Sequence, residues 1–213
     1  DNEDFTVEYP KDSTSAGEKT LIIRGINNVT GEIQATYNII AKTVTEPTIL
    51  LDNDKFTYDG KEKKPAVTVK DGGTVIPESE YTVSYSNNTA AGEATVTVAD
   101  KADGDYIING TKTFTIDKAE ASLKPKDVSK VYGSAAAAFE LESGSPLITE
   151  SELHRLTKNA QFVCDGADAA AQVKDGGYEI TANLADYESA NLRYKTEKGT
   201  LTVTKAPLTV KVK

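Results

Sequence analysis

The sequence predicts an all-β protein of tandem small antiparallel β domains, with an Ig-like sandwich as the architecture and a β-grasp-like arrangement as the alternative. Three observations carry this. Short runs rich in Val, Thr, Ile and Tyr alternate apolar and polar residues with a period of two, which is the pattern of half-buried strands. Gly, Asn, Asp and Pro punctuate those runs at short intervals. The same order of short motifs then recurs along the 213 residues, as it does in a repeat protein.

Residues 1–45 read as three strands. Phe5, Val7 and Tyr9 alternate with Thr6 and Glu8, so the three apolar side chains share one face. A turn over 10–17 follows, then the run Leu21–Ile23, a break at Asn27, Asn28 and Gly31, and a strand in which Tyr37, Ile39 and Ala41 share a face. This segment aligns with the middle of the chain. Asp4–Tyr9 matches Glu80–Tyr85, Ala16–Glu18 matches Ala91–Glu93, and Thr36–Ile39 matches Thr113–Ile116. Residues 1–45 are therefore expected to be the C-terminal part of a repeat whose opening part is missing.

Residues 46–118 read as the complete unit, entered through a Thr, Glu and Pro linker between Thr43 and Leu51. Phe56–Tyr58 is a strand turned by Asp59 and Gly60. Val67 and Val69 lead into a hairpin turn at Asp71–Gly73, where glycine accepts the positive φ of a tight turn. Pro77 blocks the strand that begins at Val75. Three apolar rows follow: Tyr81, Val83 and Tyr85; Ala94, Val96 and Val98; Phe114 and Ile116.

Residues 119–205 read as a further β unit with one short helix over 149–157. Thr149 caps the helix and Glu152 stands three residues on as in a capping box, while Ile148 and Leu153 form a hydrophobic staple. Strands are expected at Gln161–Val163, Gly177–Ala182, Leu192–Tyr194 and Leu201–Val203. Residues 206–213, with Leu208, Val210 and Val212, read as the first strand of a following repeat.

These motifs give a resemblance. Tyr58–Lys61, Lys64 with Pro65, Tyr81–Tyr85, Ala91 with Gly92, and Phe114–Ala119 make 46–118 similar to the MBG-type β domains found in tandem in bacterial surface proteins. Lys130–Gly133, Gly177–Ile180 and Gly199–Ala206 make 119–205 similar to the YGX subtype, with the alanine run Ala135–Ala138 where that subtype often has a proline. The resemblance implies a secreted or surface-anchored bacterial protein, acting as a stalk or in cell adhesion, whose partner is a host or neighbouring-cell protein or glycan. The alternative is a carbohydrate- or protein-binding module that uses loop residues at one end of a domain.

Composition narrows the chemistry. A formal net charge of -9 argues against nucleic acid or an anionic membrane surface as the partner, since both need a basic face. No apolar run is long enough to span a membrane. The absence of methionine points to a mature or excised segment. Cys164 is the one cysteine and His154 the one histidine, too few for an internal disulfide or a usual zinc site. His154, beside Arg155, has no nucleophile motif near it, and Cys164 lacks a basic neighbour to activate it. No catalytic residue, cofactor or metal site is expected. Asp52–Asp54 and the group Asp100, Asp103 and Asp105 carry oxygens of the kind calcium takes, but Asp and Asn also serve turns for backbone reasons. Lys61–Lys64 is expected to be a solvated charge run. Tyr81, Tyr85, Tyr178 and Tyr194 have core spacing, whereas Tyr106, Tyr132 and Tyr187 lie near turns and are the candidates for exposed contact.

The short joints at Thr43–Leu51 and Asp117–Leu123 lack Gly-Ser flexibility, which predicts domains placed end to end. The two incomplete ends carry a further expectation. The apolar set Phe5, Val7, Tyr9, Leu21, Ile23, Tyr37 and Ile39 needs a cover, either from the complete unit or from the terminal strand of another copy in head-to-tail self-association.

Overall fold

The computed structural model describes residues 4–184 and 189–210. The fold is all-β, in several sheets with one α-helix. By packing, the chain divides into one unit of Asp1–Phe56, Glu62–Asn88 and Gly92–Ile116, and another of Thr57–Lys61, Thr89–Ala91 and Asp117–Lys213.

The first unit begins with a three-stranded antiparallel meander, β1 (Phe5–Glu8), β2 (Gly17–Gly25) and β3 (Glu32–Ile39). No described residue from 4 to 39 is buried. Phe5 is 53% exposed and Tyr9 66%, so the apolar face that alternation predicts is open on this sheet.

The same unit continues with β4 (Lys42–Val44), β5 (Thr48–Leu51), β6 (Lys55–Thr57), β7 (Val67–Asp71), β8 (Thr74–Val75), β9 (Tyr81–Ser86), β10 (Gly92–Asp100) and β11 (Tyr106–Asp117). One sheet has the order β4-β11-β10-β9, with β6 also on β11; a second has the order β5-β7-β8. The alternating rows expected of β9, β10 and β11 line the core, with Ala94, Val96, Val98, Phe114 and Ile116 buried. The two sheets meet face to face. A Cβ on Gly110 of β11 would lie 2.9 Å from Ile49 Cδ1 of β5. Tyr81 and Tyr85 of β9 donate their hydroxyls to the carbonyls of Val67 and Pro65 at 3.2 and 2.6 Å. The β7–β8 hairpin turns at Gly72, whose φ is +57°.

Residues 119–204 hold β12 (Ala119–Pro125), β13 (Val128–Val131), β14 (Leu141–Glu142), α1 (Glu150–Asn159), β15 (Gln161–Val163), β16 (Tyr178–Asn183), β17 (Leu192–Thr196) and β18 (Gly199–Thr204). Their sheets have the orders β14-β12-β17 and β13-β18-β16-β15. Thr149 caps α1 by accepting the Glu152 N–H at 3.2 Å, the bond the capping box predicts. Leu156 of the helix is fully buried against Leu123, Leu141 and Ala182, with Ile148 and Leu153 packed beside it.

Three expectations are corrected. The stretch 43–51 is not a bare linker: β4 and β5 lie in it and bury Val44 and Ile49. Likewise 117–123 carries the start of β12, with Ala119, Ala121 and Leu123 buried. The pairing is mixed, not purely antiparallel. β4 runs parallel to β11, β12 to β17, and β13 to β18: in these three sheets the opening and closing strands are neighbours that run the same way. Finally, described residues 205–210 form no strand, and Leu208 and Val210 are 91% and 74% exposed. An extended segment with no ladder partner gains no hydrogen bonds to hold it. Val212 lies outside the described residues.

Candidate functional site

Of the residues expected to stand at turns, Tyr106, Asp100 and Asp103 are brought together in one recess of the first unit, formed by the β10–β11 loop. It has a volume of about 370 Å³ and is lined by Tyr106, Asp100, Asp103, Asn38 and Gly17 among others. Glu80 builds the loop. Its carboxylate accepts the Asp105 N–H at 2.7 Å, and its carbonyl accepts the Lys101 N–H at 3.2 Å. Asp103 takes a φ of +61° to complete the bend, a conformation Asp tolerates better than most side chains.

Asp105 is committed to backbone. Its carboxylate accepts the Ala16 N–H at 2.5 Å and its carbonyl accepts the Lys42 N–H at 2.8 Å. Among the described residues no group of three or more His, Cys, Asp or Glu side chains converges as a metal site would require. In the Asp52–Asp54 cluster two side chains also serve backbone. Asp52 caps the Ala66 N–H at 2.8 Å and Asn53 the Lys55 N–H at 3.1 Å, while the Asp54 carbonyl accepts from Thr115 at 2.9 Å.

A smaller recess of about 230 Å³ in the second unit is lined by Leu147, Thr149, Glu152, Arg155 and Tyr194 among others. Glu152 organises it, pairing with the Arg155 guanidinium and accepting the Tyr194 hydroxyl at 2.7 Å. The capping-box pattern marks Glu152 in the sequence; its bond to Tyr194, 42 residues away, is set by the fold and leaves no sequence signal.

The other singled-out residues are dispersed. His154 is exposed on α1, and Cys164 is half-buried and free. Lys64 pairs with Glu62 at 2.6 Å, and the Lys63 backbone exchanges bonds with buried Asn88. Tyr81 and Tyr85 hold the sandwich together; burial, with Glu78 adding to it, pushes the Tyr81 phenol up, and burial with Asp52 does the same at Tyr85. Tyr178 covers Gly166 and donates its hydroxyl to the Gln172 carbonyl at 2.9 Å. Tyr132 is 43% exposed and stands apart from both recesses. Tyr187 lies outside the described residues. Two residues stand in sequence motifs that do not reveal their organising roles: Glu80, and Lys130, which is 6% exposed and donates its ammonium to the Asp168 carbonyl.

No helix among the described residues is long and apolar enough to cross a membrane. No family model matches the chain, and no curated protein matches it. Among solved structures, Sidekick-1 immunoglobulin domains 1-4 is similar at 16% identity and a TM-score of 0.20, over 89% of this chain and 58% of that one. The chain thus spans less than two thirds of the length of that match.

Proposed function

We propose that this chain is a non-catalytic tandem segment of MBG-type β domains, the 119–205 unit being of the YGX type, from a secreted or surface-anchored bacterial protein that acts as stalk or in adhesion. The observation that supports it most is the parallel pairing of opening and closing strands, β4 with β11 and β12 with β17. A unit whose first and last strands run the same way takes the chain in at one end and releases it at the other, which suits a string of domains. The residues that carry the resemblance also act as folding devices. Gly60 and Gly133 take φ of +79° and +89° at turns, Tyr81 and Tyr85 tie sheet to sheet, and Lys130 anchors a loop. In this reading the partners are a host or neighbouring-cell protein or glycan, and a second copy reached through the open face of β1–β3 and the terminal segment. Antibody against the chain is expected to label intact cells of the bacterium that makes it. Labelling only after permeabilisation overturns the surface reading.

A second reading, a binding module, is favoured by the recess that groups Tyr106 with Asp100, Asp103 and Asn38. An aromatic face beside carboxylate and amide groups offers stacking and hydrogen bonds to a sugar or peptide. On a glycan array this reading predicts a ligand that Tyr106→Ala loses at least tenfold. Binding unchanged by that replacement removes the recess from consideration.

A further inference from the structure

We propose that the parallel pairing of opening and closing strands is a mechanical clamp, through which a unit carries tension along the chain. In the 119–204 unit the pairing keeps one register throughout. Ala119–Leu123 face Leu192–Thr196, and Val128–Val131 face Leu201–Thr204. Further bonds extend it and bridge the interval. The Ala119 N–H donates to the Asn191 carbonyl at 3.0 Å, Glu197 to Leu123 at 2.8 Å, and Tyr132 to Thr204 at 2.8 Å. The Thr200 N–H donates to the Asp127 carboxylate at 2.8 Å.

Tension arriving through the chain pulls Ala119 one way and Thr204 the other. Because the strands are parallel, those two points lie at opposite ends of the ladder, so the strands must slide past each other. Ladder bonds run across the strands and are evenly spaced in a parallel pair. Sliding loads them together, whereas peeling from one end loads them in turn. Bonds that share a load yield at a higher force than bonds broken singly. Leu123, Leu201 and Val203 beside the ladder are buried, so water does not readily replace the bonds as they stretch.

The β4–β11 sheet follows the same plan. Lys42–Val44 face Tyr106–Ile108 in parallel, the Lys42 N–H donates to the Asp105 carbonyl at 2.8 Å, and β6 pairs the far end of β11, where the Thr115 N–H donates to the Asp54 carbonyl at 2.9 Å. The clamp rests on the tandem-segment reading for its biological sense and on the register alone for its physics.

Single-molecule pulling tests it, since forced rupture reports the unfolding barrier along the chosen direction. In the full chain carrying Cys164→Ala, handles on Glu120→Cys and Lys205→Cys load the ladder in shear, and handles on Glu120→Cys and Ala190→Cys peel it from one end. Glu120, Ala190 and Lys205 are exposed, so both variants are expected to melt with the Cys164→Ala parent. The rupture force in shear is expected to exceed that in peeling at least threefold. Equal forces, or a weaker shear direction, overturn the clamp while leaving the surface-labelling result untouched, so the two failures are told apart.

Discussion

Replacing Gly199 by alanine is expected to lower the melting temperature of the 119–204 unit by more than about 10 °C. Gly199 opens β18 where that strand passes the end of β12. A Cβ built there would lie 2.3 Å from the Pro125 carbonyl oxygen and 2.9 Å from Pro125 Cβ. The first of these is backbone and has no rotamer by which to escape. Gly199 is buried and faces Ile180 across the β16–β18 pair, so neither strand can withdraw without opening a ladder. Forcing extra volume into a packed site costs about 1–3 kcal/mol, and more where backbone must move. Against a domain stability of about 5–15 kcal/mol, a loss of about 3 kcal/mol is large, and each kcal/mol shifts the melting point of a unit this size by about 4–8 °C. Gly144→Ala in the same unit is the control, since nothing lies within 4 Å of its Cβ position. Thermal unfolding of both variants by circular dichroism separates the cases; equal shifts would mean that β12 and β18 do not approach closely at Gly199.

The close approach at Gly199 also shows what a sequence leaves unsaid. Leu201–Val203 reads as a strand from alternation, and β18 contains it, but its partners β13 and β16 come from distant parts of the chain. Period-two alternation fixes which face of a strand is apolar; it says nothing of the direction of the neighbour, so the parallel pairs were not legible. The rows of β9 and β10 were legible because each shows three apolar positions in alternation; of β11, which runs Tyr106–Asp117, only the end with Phe114 and Ile116 was. β4, β13 and β14 span four residues or fewer, too short for a pattern to stand out, and Pro47 between β4 and β5 makes that stretch look like a linker. The helix was legible from its cap, though it runs to Asn159 rather than 157. In the recess, the grouping of Tyr106 with Asp100 and Asp103 follows from their nearness in sequence. Asn38 joins them only through the fold, and the commitment of Asp105 to Ala16, 89 residues away, leaves no trace in local pattern.

Leu156→Ala is expected to destabilise the same unit by about 2–5 kcal/mol, the range for a buried leucine whose cavity does not collapse. α1 has ten residues, too few to be helical alone in water, so its persistence depends on what it packs against. Leu156 supplies that contact. It is fully buried among Leu123 of β12, Leu141 of β14 and Ala182 of β16, with Phe162 and Tyr194 closing over the cluster. The next residue, Thr157, takes the Leu141 N–H on its hydroxyl at 3.1 Å, so a helix loosened by the cavity also frees a strand. His154→Ala on the exposed face of the same helix touches none of this and is expected to stay within about 0.5 kcal/mol of the parent. Urea titration of the two variants reads the difference as a lower midpoint for Leu156→Ala at unchanged slope, the mark of lost stability without a change in the surface exposed on unfolding. Coincident midpoints would mean that the helix does not pack on the opening strand, and that the apolar row Ala121, Leu123 and Pro125 is covered by something else.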